Sequence, residues 1–220
     1  MYSILFLSLG ITILAQIFIS VNYSKYKKVK TNTGKTGFEV AREILDKNGL
    51  DDIYVVEVRG NLTDHYDPRR KTIRLSSDIF HGTTVASNSV AAHEVGHALQ
   101  YKDGYAFLKI RNSIIPLVNF SSSAGYFIIL ISFITGSLNL LWLGIALEFI
   151  ILLFQLITLP VEFNASKRGK QELAKNVILN EKELSGAKNM LFSAAMTYVA
   201  SVLTAILEIL RLVMIANDRN

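Results

Sequence analysis

The chain of 220 residues is too apolar for an ordinary soluble domain, since half of its residues are hydrophobic, 19% are charged and the mean hydropathy is +0.33. The same apolar content excludes a disordered chain. The absence of cysteine excludes disulfides, thiolate metal cages and a cysteine nucleophile. The net charge of +5 does not indicate a nucleic-acid partner, because the basic residues lie almost entirely between long uncharged segments.

Those uncharged segments predict membrane-spanning helices. Ile4 to Val21 and Asn112 to Leu147 contain no charged side chain, and the second segment, at 36 residues, is long enough to cross a bilayer and turn back near Gly136. The first span lacks a basic segment before it, so we expect it to remain as an anchor and not to be cleaved as a signal peptide. The predicted spans cover about residues 4–21, 114–135, 139–160 and 190–210, with Pro160 ending the third.

Lysine and arginine predict the orientation of these spans. Of the 23 basic residues, 21 lie in residues 22–113 and 162–189, which a four-span path places on one side. Basic residues near span ends stay preferentially in the cytoplasm, so we predict a multi-pass protein of the cell membrane with both basic segments cytoplasmic. The predicted organisation is an anchor (1–24), a cytoplasmic catalytic segment (25–112), a transmembrane hairpin (113–161), a cytoplasmic helix (162–189) and a C-terminal transmembrane helix (190–220).

The segment between the first two spans has the pattern of a small α+β unit. Helical spacing of apolar residues predicts a helix over Phe38 to Asn48, and β-branched or alternating residues predict strands over Ile53 to Val58 and Lys71 to Ser76. The connection between these strands, Leu62 to Arg70, holds Asp64, His65, Tyr66 and Asp67. By itself such a run is more typical of a solvated turn than of a site.

A helix predicted over Thr84 to Gln100 carries the motif HExxH, from His93 to His97. Histidines at i and i+4 lie on one helix face, so both imidazoles can bind one zinc ion. Glu94 is turned away from that face, which suits a general base that holds the attacking water. Gly96 removes a side chain at a point where we expect substrate or a covering strand to approach.

Two histidines leave the zinc site incomplete, and the sequence offers two candidates for a third ligand. The compact pattern HExxHxxGxxH would need glycine at position 100 and histidine at position 103, where this chain has Gln100 and Asp103. Asp103 could still bind zinc, but the chain lacks the glycine for a sharp turn before it. Glu162 follows the third span on the predicted cytoplasmic side, where the HExxH helix also lies.

Glu148 is a separate candidate, because an ionisable residue inside a predicted span often has a function. It precedes Glu162 by 14 residues, or roughly 21 Å along a continuous helix, so it cannot reach the same metal ion unless the helix breaks. Gln155 shares its helix face, which favours a polar contact within the bundle. Glu208 and Arg211, at i and i+3, are expected to neutralise one another.

Several long motifs, in this order, resemble the YugP-type zinc-dependent membrane proteases. The motifs are LTDHYDPR from Leu62, KTIRLS from Lys71, AAHEVGHALQ from Ala91 and TLPVEFNAS from Thr158. The resemblance covers nearly the whole chain. More distantly, the pattern is similar to the HtpX-type membrane gluzincins, in which the glutamate of an ExxAD motif completes the zinc site; by that likeness Glu162 is the third ligand.

One position departs from this pattern, because Ser166 stands where ExxAD has aspartate. In the gluzincins that aspartate supports a zinc-bound histidine, so here the support is expected to be weaker or to come from Asn164. The resemblance also implies that Leu62 to Asp67 lie at the rim of the cleft. Asp64, His65, Tyr66 and Asp67 therefore become candidate substrate-binding residues.

Together these observations predict a mainly α, multi-span transmembrane helical bundle with a small α+β, gluzincin-like cytoplasmic catalytic portion. The predicted function is a zinc metalloprotease that hydrolyses protein or peptide substrates, with Zn²⁺ held by His93, His97 and Glu162 and with Glu94 as general base. An intramembrane protease is disfavoured by the charged residues that flank the HExxH motif. The remaining alternative is a noncatalytic membrane scaffold or metal-binding adaptor, which the intact Glu94 disfavours.

Overall fold

The structure is a computed structural model that describes residues 2–60 and 63–219. It consists of seven helices and a three-stranded sheet within those residues. In chain order the elements are α1 (Tyr2–Tyr26), α2 (Gly37–Lys47), β1 (Tyr54–Val58), β2 (His65–Asp67), β3 (Thr72–Ser76), α3 (Ser77–Phe80), α4 (Val85–Lys102), α5 (Ala106–Thr135), α6 (Leu138–Lys175) and α7 (Glu181–Asp218).

Four of the described helices, α1, α5, α6 and α7, are long and apolar enough to cross a membrane. This confirms the prediction of a mainly α protein with several membrane-spanning helices. The turn between α5 and α6 lies at Gly136, as predicted, where a φ of 72° favours glycine. The chain divides into a membrane-helix unit (2–17, 106–160 and 196–219) and an α+β unit (18–105 and 161–195).

Pro160, which the sequence predicts to end the third span, lies inside a helix. Helix α6 continues through it to Lys175. An internal proline removes one backbone donor and costs about 3 kcal/mol or more. Beyond it, Val161, Ala165 and Leu173 are fully buried in the α+β unit, and this burial offsets the cost. The predicted boundaries at 161/162 and 189/190 therefore fall inside α6 and α7.

The sheet has the strand order β1-β3-β2, with β1 parallel and β2 antiparallel to the central strand. Ile73 and Leu75 of β3 are fully buried, which agrees with the predicted alternation. Strand β2 was not predicted, since it lies within the connection interpreted as a loop. Tyr66 pairs with Ile73 across the ladder, so part of that connection is an edge strand.

Helix α2 begins at a capping box in which the Thr36 side chain accepts from the backbone of Glu39, while Glu39 accepts from the backbone of Thr36. Its apolar face is fully buried and packs against α4. Helix α4 is buried along most of its length and lies among α2, α3 and the sheet. The HExxH motif is thus carried by the central helix of the α+β unit.

Candidate metal centre

Helix α4 presents His93 and His97 on one face, one turn apart. Their rings meet edge to face with centroids 4.8 Å apart, and both side chains are largely covered, with 17% and 13% exposed. The helix is held at its start by Thr84, whose hydroxyl accepts from the backbone N–H of Ser87. The two imidazoles therefore project from a rigid, well-anchored element.

Glu162 of α6 faces these two imidazoles and is only 4% exposed. Its Oε2 lies 3.4 Å from Nε2 of His93 and 3.6 Å from Nε2 of His97. All three candidate ligand atoms lie within 4.8 Å of one another. Two imidazole nitrogens and one carboxylate oxygen are a donor set that zinc accepts, with a fourth position left for water.

Two glycines bring α6 against α4 at backbone distance. A Cβ on Gly96 would lie 2.3 Å from the carbonyl oxygen of Ala165, and a Cβ on Gly169 would lie 2.5 Å from that of Ala92. Gly96 therefore faces α6, so the element that approaches it is a helix and not the expected substrate or covering strand. This close crossing carries Glu162 to the histidines.

The side-chain amide of Gln100 fixes the orientation of His97. Its Nε2 donates to the backbone carbonyl of Val161 at 2.7 Å and to Oδ1 of Asn164 at 3.0 Å. Its Oε1 is thus left to accept, and it lies 3.1 Å from Nδ1 of His97. The protonated nitrogen of His97 is therefore Nδ1, and Nε2 keeps a free lone pair toward Glu162.

Ser166 supports the other histidine, since its hydroxyl oxygen lies 3.0 Å from Nδ1 of His93. Ser166, which stands in place of the aspartate of ExxAD, thus itself occupies the position that supports His93. The hydrogen bonds of Asn164 go elsewhere than to His93, contrary to the suggested replacement: its Oδ1 accepts from Gln100 and from Nε of Arg168 at 2.8 Å. Gln100 was missed as a functional candidate, although its position three residues after His97 places it on the same helix face.

Glu94 is 7% exposed and lies beside the metal-binding group. Burial of its carboxyl raises the pKa of Glu94 to about 7, and the negative charges of Glu162 and Asp64 act in the same direction. The backbone of Tyr66 acts in the opposite direction and lowers the pKa of Glu94. A pKa near neutrality suits a group that accepts and returns a proton.

The candidate substrate-binding run has mixed surroundings. Oδ1 of Asp64 accepts from the backbone N–H of Ser76 at 2.7 Å, which ties the start of β2 to the end of β3. Oδ1 of Asp67 accepts from the backbone N–H groups of Arg69 and Arg70 and stabilises the following turn. Both carboxylates thus have structural partners.

The two residues between them lie on the edge strand. His65 is exposed, and its Nδ1 lies 2.8 Å from the carbonyl oxygen of Thr63. Tyr66 packs against the ring of Tyr101 with centroids 6.3 Å apart. The predicted rim of the cleft, Leu62 to Asp67, begins at Leu62, which lies outside the described residues.

Asp103, the other candidate third ligand, pairs with the guanidinium of Arg168. It lies at the C-terminal cap of α4 and is not part of the group formed by the two histidines and Glu162.

Glu148 lies in the membrane-helix unit. Helix α6 is continuous between Glu148 and Glu162, so Glu148 is too far along the helix to bind the same ion. Arg211 donates from Nε to Glu208 at 2.8 Å, which confirms their predicted pairing.

Comparison with known proteins gives a match along almost the entire chain. Residues 1–217 match the family described as "putative neutral zinc metallopeptidase". The chain is 48% identical over 208 residues to the "Putative membrane protease YugP" of Bacillus subtilis (strain 168), which covers 94% of this chain and 92% of that protein. No solved structure matches.

Proposed function

This chain belongs to the neutral zinc metallopeptidase family, and we propose that it is an integral membrane zinc metalloprotease that hydrolyses peptide bonds. The observation that carries the proposal is the convergence of His93, His97 and Glu162 within 4.8 Å beside the buried carboxyl of Glu94. A structural zinc site would need no adjacent base. A catalytic site needs three protein ligands, a position for water and a group that moves its proton.

The donor set fits zinc in both chemistry and orientation. The contacts of Gln100 with His97 and of Ser166 with His93 occupy the Nδ1 atoms and leave both Nε2 atoms directed toward Glu162. Zinc-binding histidines commonly have their second ring nitrogen held in this way. When bound, Zn²⁺ would supply a Lewis acid that lowers the pKa of water and polarises the peptide carbonyl.

The remaining chemistry falls to Glu94. Its carboxylate takes a proton from the attacking water and then donates that proton to the leaving amine. The carboxyl pKa of about 7 allows both transfers near neutral pH. Helix α4 packs against the edge strand β2, which places the general base beside that strand.

Strand β2 is the proposed binding edge for substrate. It pairs only with β3 among the described strands, so its other edge offers backbone groups to an extended peptide. Because Asp64 and Asp67 already have partners, we propose that the β2 backbone, with His65 and Tyr66, forms the wall of the cleft. This proposal follows the general mode in which an extended peptide adds a strand to an exposed sheet edge.

The proposed location of the site is the cytoplasmic face of the cell membrane. The reason is the concentration of basic residues in the two segments that carry the α4 motif and Glu162, since such segments stay preferentially in the cytoplasm. The excess positive charge would then face anionic lipid, and it requires no nucleic acid.

The test is zinc content and peptidase activity of the full chain purified in lipid nanodiscs. We expect about one zinc per chain and cleavage of casein or of a membrane-protein substrate, with both lost after chelation and regained with added zinc. A protein that binds zinc and cleaves neither substrate would support the alternative of a noncatalytic membrane adaptor.

A further inference from the structure

The membrane-helix unit contains an open cleft of about 520 Å³, lined by both apolar and polar side chains, that the proposed chemistry does not use. Its walls come from α1, α6 and α7, within one unit of the fold. Seven of the eleven lining residues are apolar or hydroxyl-bearing side chains of α1 and α7. The carboxyl and amide groups of the cleft come from α6 and α7: Glu148, Gln155 and Glu208. Clefts of about 300–1,000 Å³ accommodate small ligands and side chains.

Glu148 is the exceptional group in this cleft. It lies inside an apolar helix and makes no hydrogen bond or ion pair with the residues that the structure describes. Glu208, by contrast, is neutralised by Arg211. An ionisable side chain within a membrane is costly unless a partner compensates it.

The other polar atoms of the cleft present acceptors. Oε1 of Gln155 is buried and has no hydrogen-bond partner. The hydroxyls of Ser8, Thr12 and Ser201 each donate to a carbonyl of their own helix, which leaves their oxygen lone pairs for an incoming donor. The cleft is therefore rich in acceptors and carries one carboxyl group, that of Glu148, with no partner among the described residues.

We propose that this cleft binds the membrane-spanning helix of a substrate through a basic side chain near the middle of that helix. The occupant follows from charge complementarity, because a lysine or arginine would pair with Glu148 and donate to Gln155. The proposal rests on the proposed protease function, since it names a class of substrate: single-span proteins with a buried basic residue. It adds a binding site in the membrane unit to the peptide-binding edge of the α+β unit.

The experiment measures binding without hydrolysis, so that its outcome is separate from that of the protease proposal. The chain has no cysteine, so Asn139→Cys, at an exposed position, can carry a single donor dye in a Glu94→Gln background. The probes are acceptor-labelled single-span peptides of leucine and alanine, with Lys, Leu or Glu at the central position. Energy transfer is measured in vesicles of phosphatidylethanolamine and phosphatidylglycerol.

We expect the Lys peptide to bind about tenfold more tightly than the Leu peptide. Glu148→Gln should remove this preference, whereas the matched exposed variant Glu181→Gln should retain it. Equal binding of the Lys and Leu peptides, or an unchanged preference in Glu148→Gln, would overturn the proposal and leave a small cation or a lipid amine as the occupant.

A charge exchange guards against loss of folding in the single variant. Glu148→Lys should prefer the Glu peptide over the Lys peptide, while zinc content stays near one per chain as a measure of the intact α+β unit. If Glu148→Lys shows no reversal, the direct pairing is rejected. In the chain that retains Glu94, cleavage of the same peptides tests the protease function independently of binding.

Discussion

Gly96 and Ala165 meet backbone to backbone, since a Cβ on the glycine would lie 2.3 Å from the alanine carbonyl oxygen. Gly169 repeats the contact one turn farther along α6, against the carbonyl of Ala92. Three of the four residues involved are within four positions of a proposed zinc ligand. The position of Glu162 relative to the histidines is therefore fixed by backbone contact and not by long side chains.

Gly96→Ala should thus weaken both folding and metal binding. The added methyl group must push α6 away from α4, at a cost of about 1–3 kcal/mol for overpacking a tight contact. We expect a lower melting temperature and weaker zinc binding by titration. Gly10→Ala is the matched control, because a Cβ there meets nothing within 4 Å, and it should leave both quantities unchanged. Equal melting temperatures for the two variants would show that the helices can separate without cost.

Glu94→Gln should abolish hydrolysis and retain about one zinc per chain. The amide keeps the size of the side chain but cannot accept the proton from water, and it removes no ligand. Turnover of casein and zinc content, measured on the same preparation, check this expectation. Comparable turnover in the variant would exclude Glu94 as the general base.

Glu162→Ala should lose zinc and activity together, whereas Asp103→Ala should keep both. Loss of one of three protein ligands leaves two imidazoles, and affinity should fall on the order of a hundredfold or more. Asp103 pairs with Arg168 at the surface, so its removal costs no ligand. Zinc competition with a chromophoric chelator measures both variants. Retention of tight zinc binding in Glu162→Ala would refute the assignment.

Gln100→Leu should weaken zinc binding by about 10- to 100-fold through His97, although Gln100 touches no metal. Leucine has similar bulk but cannot hold the Nδ1 proton of His97 or donate to Val161. Gln171→Leu makes the same chemical change at an exposed position of α6 and serves as the control. The spectrum of the cobalt-substituted protein should change for Gln100→Leu alone, because it reports ligand geometry independently of turnover.

The topology is tested by single cysteines in intact cells. Cysteines introduced at Lys28 and Lys167 should be shielded from a membrane-impermeant thiol reagent, since both basic segments are proposed to be cytoplasmic. A cysteine at Asn139, in the first turn of α6 just after the α5–α6 turn, should be labelled. Labelling at Lys28 together with protection at Asn139 would reverse the orientation.

The sequence predicted the elements whose signal is local. The HExxH motif, the four apolar helices and the alternation of Ile73 and Leu75 all follow from spacing along the chain. The sequence does not show that the helix continues through Pro160, because the local effect of proline, a lost hydrogen bond, is outweighed by burial of the segment that follows it. That burial depends on contacts with distant segments of the chain, so no local sequence pattern indicates it.

Contacts between distant segments account for the rest. Strand β2 depends on Asp64 accepting from Ser76, twelve residues away, and its short sequence resembles a turn. The role of Gln100 depends on Val161 and Asn164, which only the packing of α6 on α4 brings close. The sequence could offer Gln100 as a neighbour of His97, but it could not show which atom of the amide faces the ring.

The proposed ligand set also has a redox consequence. It consists of nitrogen and oxygen donors only, and the chain contains no cysteine that could take part in disulfide exchange. Thiol oxidants, which displace zinc from thiolate sites by converting the ligands to disulfides or sulfenic acids, have no target here. Oxidation of sulfur in this chain is confined to its four methionines, so a cell under disulfide stress would retain this centre while losing zinc from thiolate-bound sites elsewhere.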